Sequence, residues 1–166
     1  MEKMVACPRC ARPLVLPSGP QAAALGLIGE FPGETELRLH QPFCGPAGAI
    51  LRQELARLGI MWGELRMTNL WEHAALPQDE KELNWHTRQA LLAVKNCPVI
   101  VLLGSEVVSL FLNEKVSNVA GIWHTQSAFF GERPVLPLAN PAIALHQPLG
   151  EFRWGLEILA KGLKTL

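Results

Sequence analysis

Four short apolar runs constrain this chain more than any other feature. They are "ALGLIGE" at 24–30, "ELRMTN" at 64–69, "PVIVLLG" at 98–104 and "RPVLPLAN" at 133–140. Each is of strand length, and the intervening segments carry a helical period instead. In "PAGAILRQELARLG", Ile50, Leu51, Leu55 and Leu58 fall on one helical face, and Gly59 is placed to cap the end. "DEKELNWHTRQALLAVKN" opens on a capping-box pattern from Asp79 to Glu82, and "SEVVSLFL" opens on Ser105 as an N-cap. "EFRWGLEILAKGL" closes the chain as an amphipathic helix. Strands separated by helices pair in parallel, because each crossover returns the chain to the same end of the sheet. The expected fold is α/β: a three-layer α/β/α sandwich with a central four-stranded parallel sheet.

The length, 166 residues, fits one domain spanning 1–166. An apolar fraction of 49% against 18% charged residues implies a packed core and excludes a disordered chain. Lys and Arg total 15, matched by 15 Asp and Glu, which excludes a globally basic nucleic-acid binder and leaves only a local patch. "MEKMVACPRC" has no apolar h-region, and the longest apolar runs are far too short to span a bilayer. A monomeric, cytoplasmic protein without a membrane partner is expected.

The segment Cys7 to Pro20 is rich in Pro, Cys and Arg and reads as an irregular lid or loop. In a cytoplasmic protein its "CPRC", Cys7 to Cys10, reads as metal-binding or redox-active. Two cysteines at this spacing supply half of a tetrahedral site. The other two cysteines, Cys44 and Cys97, read as small apolar residues rather than ligands.

In parallel α/β sheets, chemistry gathers beyond the C-terminal ends of the strands. After the first run, "GEFPGE" lacks both the lysine of GxxxxGK[ST] and the spacing of GxGxxG, so a phosphate cradle is weakly supported. Its carboxylate, Glu30, either orients and deprotonates a water or caps a turn. Phe43, in "QPFCGPAG", either stacks on a flat ligand or plugs the core. Asn69 and Asn140, at the ends of the second and fourth runs, offer both a donor and an acceptor to a base edge, or simply form turns.

Taken in order, these stretches resemble the uracil-DNA glycosylase superfamily, and most closely its family-4, iron–sulfur members. "GEFPGETE" is similar to the family's GEAPG motif, "PFCGPAGAIL" to PFxGxxGxxL, and "LRMTNL" to a strand ending in Asn. "VIVLLG" matches the third strand, "AGIWH" an rGxWH-like stretch, and "NPAIALH" stands where HPSxLLR is found. The resemblance implies a monofunctional enzyme that flips uracil, or a related pyrimidine, out of DNA and hydrolyses it away. It implies Glu30 and Asn140 as catalytic residues, with Glu30 acting on water. Phe43 would stack on the base, Asn69 would read its edge, and Phe31 would line the base pocket. Ala142, Ile143, Leu145 and His146 would face DNA, with Ile143 and Leu145 pressing into the duplex.

The departures carry their own expectations. Asn140 replaces the family's His; its amide can still donate a hydrogen bond to the departing base but cannot carry a proton, so slower chemistry or a changed base preference is expected. Ala142 lacks a hydroxyl for phosphate, and His146 replaces an Arg. Phe31 replaces a small Ala, and with Cys44 it is placed to alter the wall against a 5-substituent. Arg38, Arg52, Lys115, Arg133 and Arg153 are the cations that a local DNA-facing patch could use. Two alternatives therefore stand beside uracil excision: a catalytically weak module that binds uracil-containing or damaged DNA, and a glycosylase for a 5-modified uracil.

The resemblance also completes the metal site. The family's third and fourth cluster cysteines fall at NxxxC and ExxxC; here "NLWEH" and "ELNWH" put His73 and His86 at those positions. Cys7, Cys10, His73 and His86 suit a structural zinc that anchors the N-terminal segment 1–20, with an iron–sulfur cluster as the alternative.

Overall fold

The computed structural model describes residues 5–74 and 76–166. Its strands are β1 (Leu25–Gly29), β2 (Leu65–Asn69), β3 (Val99–Leu103) and β4 (Val135–Leu138). They form one sheet in the order β2-β1-β3-β4, and every pairing is parallel. The helices are α1 (Glu34–Leu39), α2 (Pro46–Arg57), α3 (Glu80–Ala93), α4 (Ser105–Leu112), α5 (Val116–Val119) and α6 (Gly150–Leu163). Two short 3-10 turns, Trp62–Glu64 and Pro141–Leu145, precede β2 and follow β4.

Side chains alternate across the sheet, so each strand feeds two cores. Ile28, Ile100, Leu102 and Val135 face α3, α4 and α5, packing on Ala90, Val94, Val107, Val108 and Phe111. Leu25, Leu27, Val99, Val101, Leu103, Leu136 and Leu138 face the other way, onto Leu51 and Leu55 of α2 and Phe152, Leu156 and Leu159 of α6. The result is the expected α/β/α sandwich, and burial on both faces explains why the strands read as near-continuous apolar runs.

Both sheet edges are covered. The N-terminal segment, read from composition as an irregular loop, lies against β2 as an antiparallel bridge: Ser18 and Met67 exchange N–H···O bonds of 2.9 Å each. On the far side, His124 pairs the same way with Val135. Such cover removes the unpaired groups that invite edge-to-edge association.

The strands are shorter than their apolar runs by one to four residues, because the flanking residues leave the ladder to form the loops. One cap differs from expectation. Gly104, at φ 119°, is the N-cap of α4, and Ser105 is its first residue. A side chain at 104 would collide with the Glu30 carboxylate, so the tight turn belongs to the site rather than to hydroxyl capping. Gly59 does lie in the left-handed region, at φ 79°, just beyond α2.

Candidate functional site

The strand order reverses direction between β1 and β3, which opens a crevice at the C-terminal ends of the strands. A cleft of about 480 Å³ lies there, lined by Gly29, Glu30, Phe31, Phe43, Asn69, Asn140, Ala142 and Leu145 among others. Residues far apart in sequence thus meet because each follows a different strand.

Gly29 decides how closely two of them approach. A Cβ on Gly29 would lie 2.6 Å from Asn69 Oδ1 and 2.7 Å from Phe43 Cζ. The missing side chain lets the ring and the amide converge over the end of β1. Phe43 itself holds the left-handed conformation, at φ 56°, which is costly for an aromatic residue. Its loop is pinned by Glu36, whose Oε1 accepts the Gly45 N–H at 3.1 Å, and by Gly48, which sits against the Phe43 carbonyl. Asn69 is buried at 4% exposure, and its side chain makes no hydrogen bond among the described residues, so its amide is free to pair with something in the cleft.

Glu30 is held at both carboxylate oxygens. Asn140 Nδ2 donates to Oε1 at 2.8 Å, and the Glu106 N–H at the start of α4 donates to Oε2 at 3.2 Å. Asn140 Oδ1 in turn accepts the Ala142 N–H at 2.9 Å, capping the Pro141–Leu145 turn. Phe31 is half exposed at the rim and leans on Trp71, ring centroids 6.3 Å apart.

Other expected residues fall elsewhere. Leu145 is exposed on the cleft wall and His146 is exposed beside it, but Ile143 lines a separate groove against Trp154 and Gly155 of α6. Cys44 does not line the cleft. It lines a smaller cavity behind Phe43, and its thiol donates to the Gln41 carbonyl at 3.1 Å. Cys97 is buried in the core. Arg153 grips Glu54, and Arg133 caps the end of α3 through the carbonyls of Val94 and Cys97, so these two cations serve the fold.

A second constellation lies off the cleft. Cys7, His73, Glu82 and His86 are buried, and their donor atoms all lie within 4.8 Å of one another. Cys7 Sγ is 3.8 Å from His86 Nε2, which is 2.9 Å from His73 Nε2, which is 3.0 Å from Glu82 Oε1. The "CPRC" turn is closed by two bonds, Cys7 N–H to the Arg12 carbonyl and Ala11 N–H to the Cys7 carbonyl, both 2.8 Å. Cys10, expected as a ligand, is partly exposed and stands outside this group of four, and burial is the main cause raising its thiol pKa. Burial, then the neighbouring His73, pushes His86 down to about 4, so its imidazole is neutral and able to ligate.

Glu82 is the member that sequence reasoning missed. The capping box holds in one direction only: Glu82 N–H donates to Asp79 Oδ1 at 2.7 Å. The Glu82 carboxylate instead accepts from Gln78 N–H at 2.8 Å and faces His73. Its spacing of four from His86 on one helix was the available signal. Glu36 and Glu106 were also unassigned; both act through backbone contacts that only the folded loops create.

Comparison with known proteins gives a consistent result. The family model described as "Uracil DNA glycosylase superfamily" matches residues 16–164. The chain is 26% identical over 160 residues to a type-4 uracil-DNA glycosylase of Thermotoga maritima, covering 92% of this chain and 83% of that protein. It is 27% identical to one of Pyrobaculum aerophilum, covering 82% and 76%, and 25% identical to one of Archaeoglobus fulgidus, covering 78% and 71%.

Proposed function

This chain belongs to the uracil-DNA glycosylase superfamily and is a glycosylase-type hydrolase; from that premise we propose that it flips uracil, or a related pyrimidine, out of DNA and hydrolyses it away, leaving an abasic site. The observation that carries this reading is the convergence of Glu30, Phe43, Asn69 and Asn140 on one cleft at the strand ends. The extruded base stacks on Phe43, while the unpartnered Asn69 amide meets the donor and acceptor on its Watson–Crick edge. Glu30 takes a proton from water as the C1′–O bond forms. The C1′–N1 bond breaks, and its electron pair leaves on the base, where hydrogen-bond donors stabilise the charge. Leu145 enters the gap in the stack from the cleft rim, with Ile143, Ala142 and His146 shaping its loop. Phe31 forms the outer wall.

The test uses single- and double-stranded oligonucleotides carrying uracil, followed by alkali to cut abasic sites. Strand scission by the wild type and not by Glu30→Ala is expected; equal scission by both sinks the reading. A module that binds such DNA without cutting it is the second reading, favoured by the neutral Asn140. Tight equilibrium binding with no single-turnover cleavage would select it. Excision of a 5-substituted uracil in preference to uracil would point to the outer wall at Phe31.

We also propose that Cys7, Cys10, His73 and His86 hold a structural zinc that anchors the N-terminal segment; residues 1–4 of that segment lie outside the described residues. Zinc bonds of about 2.0–2.3 Å place ligand atoms roughly 3.5 Å apart on a tetrahedron, and the spacing of Cys7, His73 and His86, with Glu82 beside them, suits a single ion that Cys10 would have to approach. A four-iron cluster sits between its ligands, holds them further apart, and normally takes four thiolates. Glu82, on the same His73 nitrogen, competes with Cys10 as the fourth donor. Elemental analysis with an absorbance spectrum decides: zinc and no visible band is expected, while a brown protein with iron and sulfide overturns the assignment. The chain is read as one cytoplasmic, monomeric domain. No helix among the described residues is long and apolar enough to cross a membrane.

A further inference from the structure

The amide of Asn140 is committed on both sides. Its oxygen takes the Ala142 N–H at 2.9 Å, and its nitrogen faces Glu30 Oε1 at 2.8 Å. The reverse orientation would set oxygen against carboxylate and N–H₂ against N–H, so the two bonds together fix the rotamer. The Glu30 carboxylate is thereby clamped by groups from outside its own loop: Asn140 after β4 on one oxygen, Glu106 N–H at the start of α4 on the other. A carboxylate accepts about four hydrogen bonds, so one donor per oxygen leaves positions for a water. An imidazole at 140 would offer Glu30 a proton; an amide orients the carboxylate and leaves it as the only base of the pair.

We infer that Asn140 is a positioning residue, which aims the Glu30 carboxylate at the attacking water, and that its contribution to rate runs through Glu30 rather than through the departing base. This rests on the glycosylase reading and assigns the division of labour within it. A misaimed carboxylate slows attack without weakening the grip on DNA.

The experiment measures single-turnover excision of uracil and of 5-fluorouracil, a base that departs more readily because its anion is more stable. The proteins are the wild type, Asn140→Ala, Asn140→Asp, Glu30→Ala and the Glu30→Ala/Asn140→Ala double variant. Asn140→Asp keeps the acceptor for the Ala142 N–H, and so the turn, while losing the donor to Glu30. Both position-140 variants should lose about 100-fold in rate on both bases, with the dissociation constant for the oligonucleotide unchanged. The double variant should be no slower than Glu30→Ala alone, the signature of two groups acting as one unit. The inference is overturned by a loss that shrinks on 5-fluorouracil, which places Asn140 on the leaving base, or by losses that multiply in the double variant. Asn140→Asp with the wild-type rate also overturns it. A wild type that excises neither base removes the glycosylase reading and the inference with it.

Discussion

At the scale of single residues, the cleft depends on an absence. Gly29 has no Cβ, and that vacancy is where the Phe43 ring and the Asn69 amide meet. Gly29→Ala is expected to lower excision by about 100-fold, since displacements of around an ångström at a reacting site cost that much. The overlap concerns atoms 2.6 and 2.7 Å away on side chains at the cleft, so folding should survive. Circular dichroism melts alongside single-turnover rates check this, and an unimpaired rate would refute the packing argument. Glycine at a strand end was visible in "GLIGE", but its consequence was not. Nothing in a linear sequence says that a ring 14 positions on and an amide 40 positions on come to rest over it. Glu30, Phe43 and Asn69 were legible through motif resemblance. The clamp on Glu30 was not, because Glu106 contributes a backbone N–H, which every residue type but proline carries.

At the scale of elements, the N-terminal segment shows how local composition misleads. Its Pro, Cys and Arg content reads as an irregular lid or loop, yet Leu14 and Val15 are buried, Val15 N–H donates to the Glu72 carbonyl at 2.7 Å, and Ser18 pairs with β2. The segment's order depends on the edge of β2 and on the side chains brought together from Cys7, the loop after β2 and α3. Metal removal is therefore predicted to act locally first. Dialysis against a chelator should lower Tm and expose the segment before residue 20 to protease, while α2 and α6, on the opposite face of the sheet, stay protected. Hydrogen exchange resolved by segment measures this; uniform protection loss, or none, contradicts it. The capping box at Asp79 illustrates the same limit. The N-cap bond was predictable from four residues, whereas the destination of the Glu82 carboxylate depended on where His73 lies after folding.

At the scale of the molecule, α2 and α6 lie on one face of the sheet and are joined by a buried carboxylate. Glu54, 3% exposed, accepts from Arg153 Nε at 2.9 Å and Nη2 at 3.1 Å, and from Arg57 Nε at 3.1 Å. Hydrogen bonding from Arg153 is the main cause lowering its pKa below the usual carboxylate value, against the opposing effect of burial. A depressed folded-state pKa contributes stability that is present above the unfolded value and lost as pH falls through the folded one. Glu54→Gln should therefore melt below the wild type at neutral pH, with the gap closing as pH falls through that acidic window. Melting curves across pH test it, and a gap independent of pH would contradict it. By itself the sequence determined the α/β class, the parallel sheet and the family, because hydrophobic period and motif order are properties of the chain read along its length. The tertiary structure alone decided the partnerships: that Asn140 holds Glu30, that Glu82 gathers with Cys7, His73 and His86, and that Cys44, Ile143, Arg133 and Arg153 belong elsewhere than the cleft. Those depend on distances between side chains brought together only by sheet order and the burial of two cores, and periodicity carries no record of them.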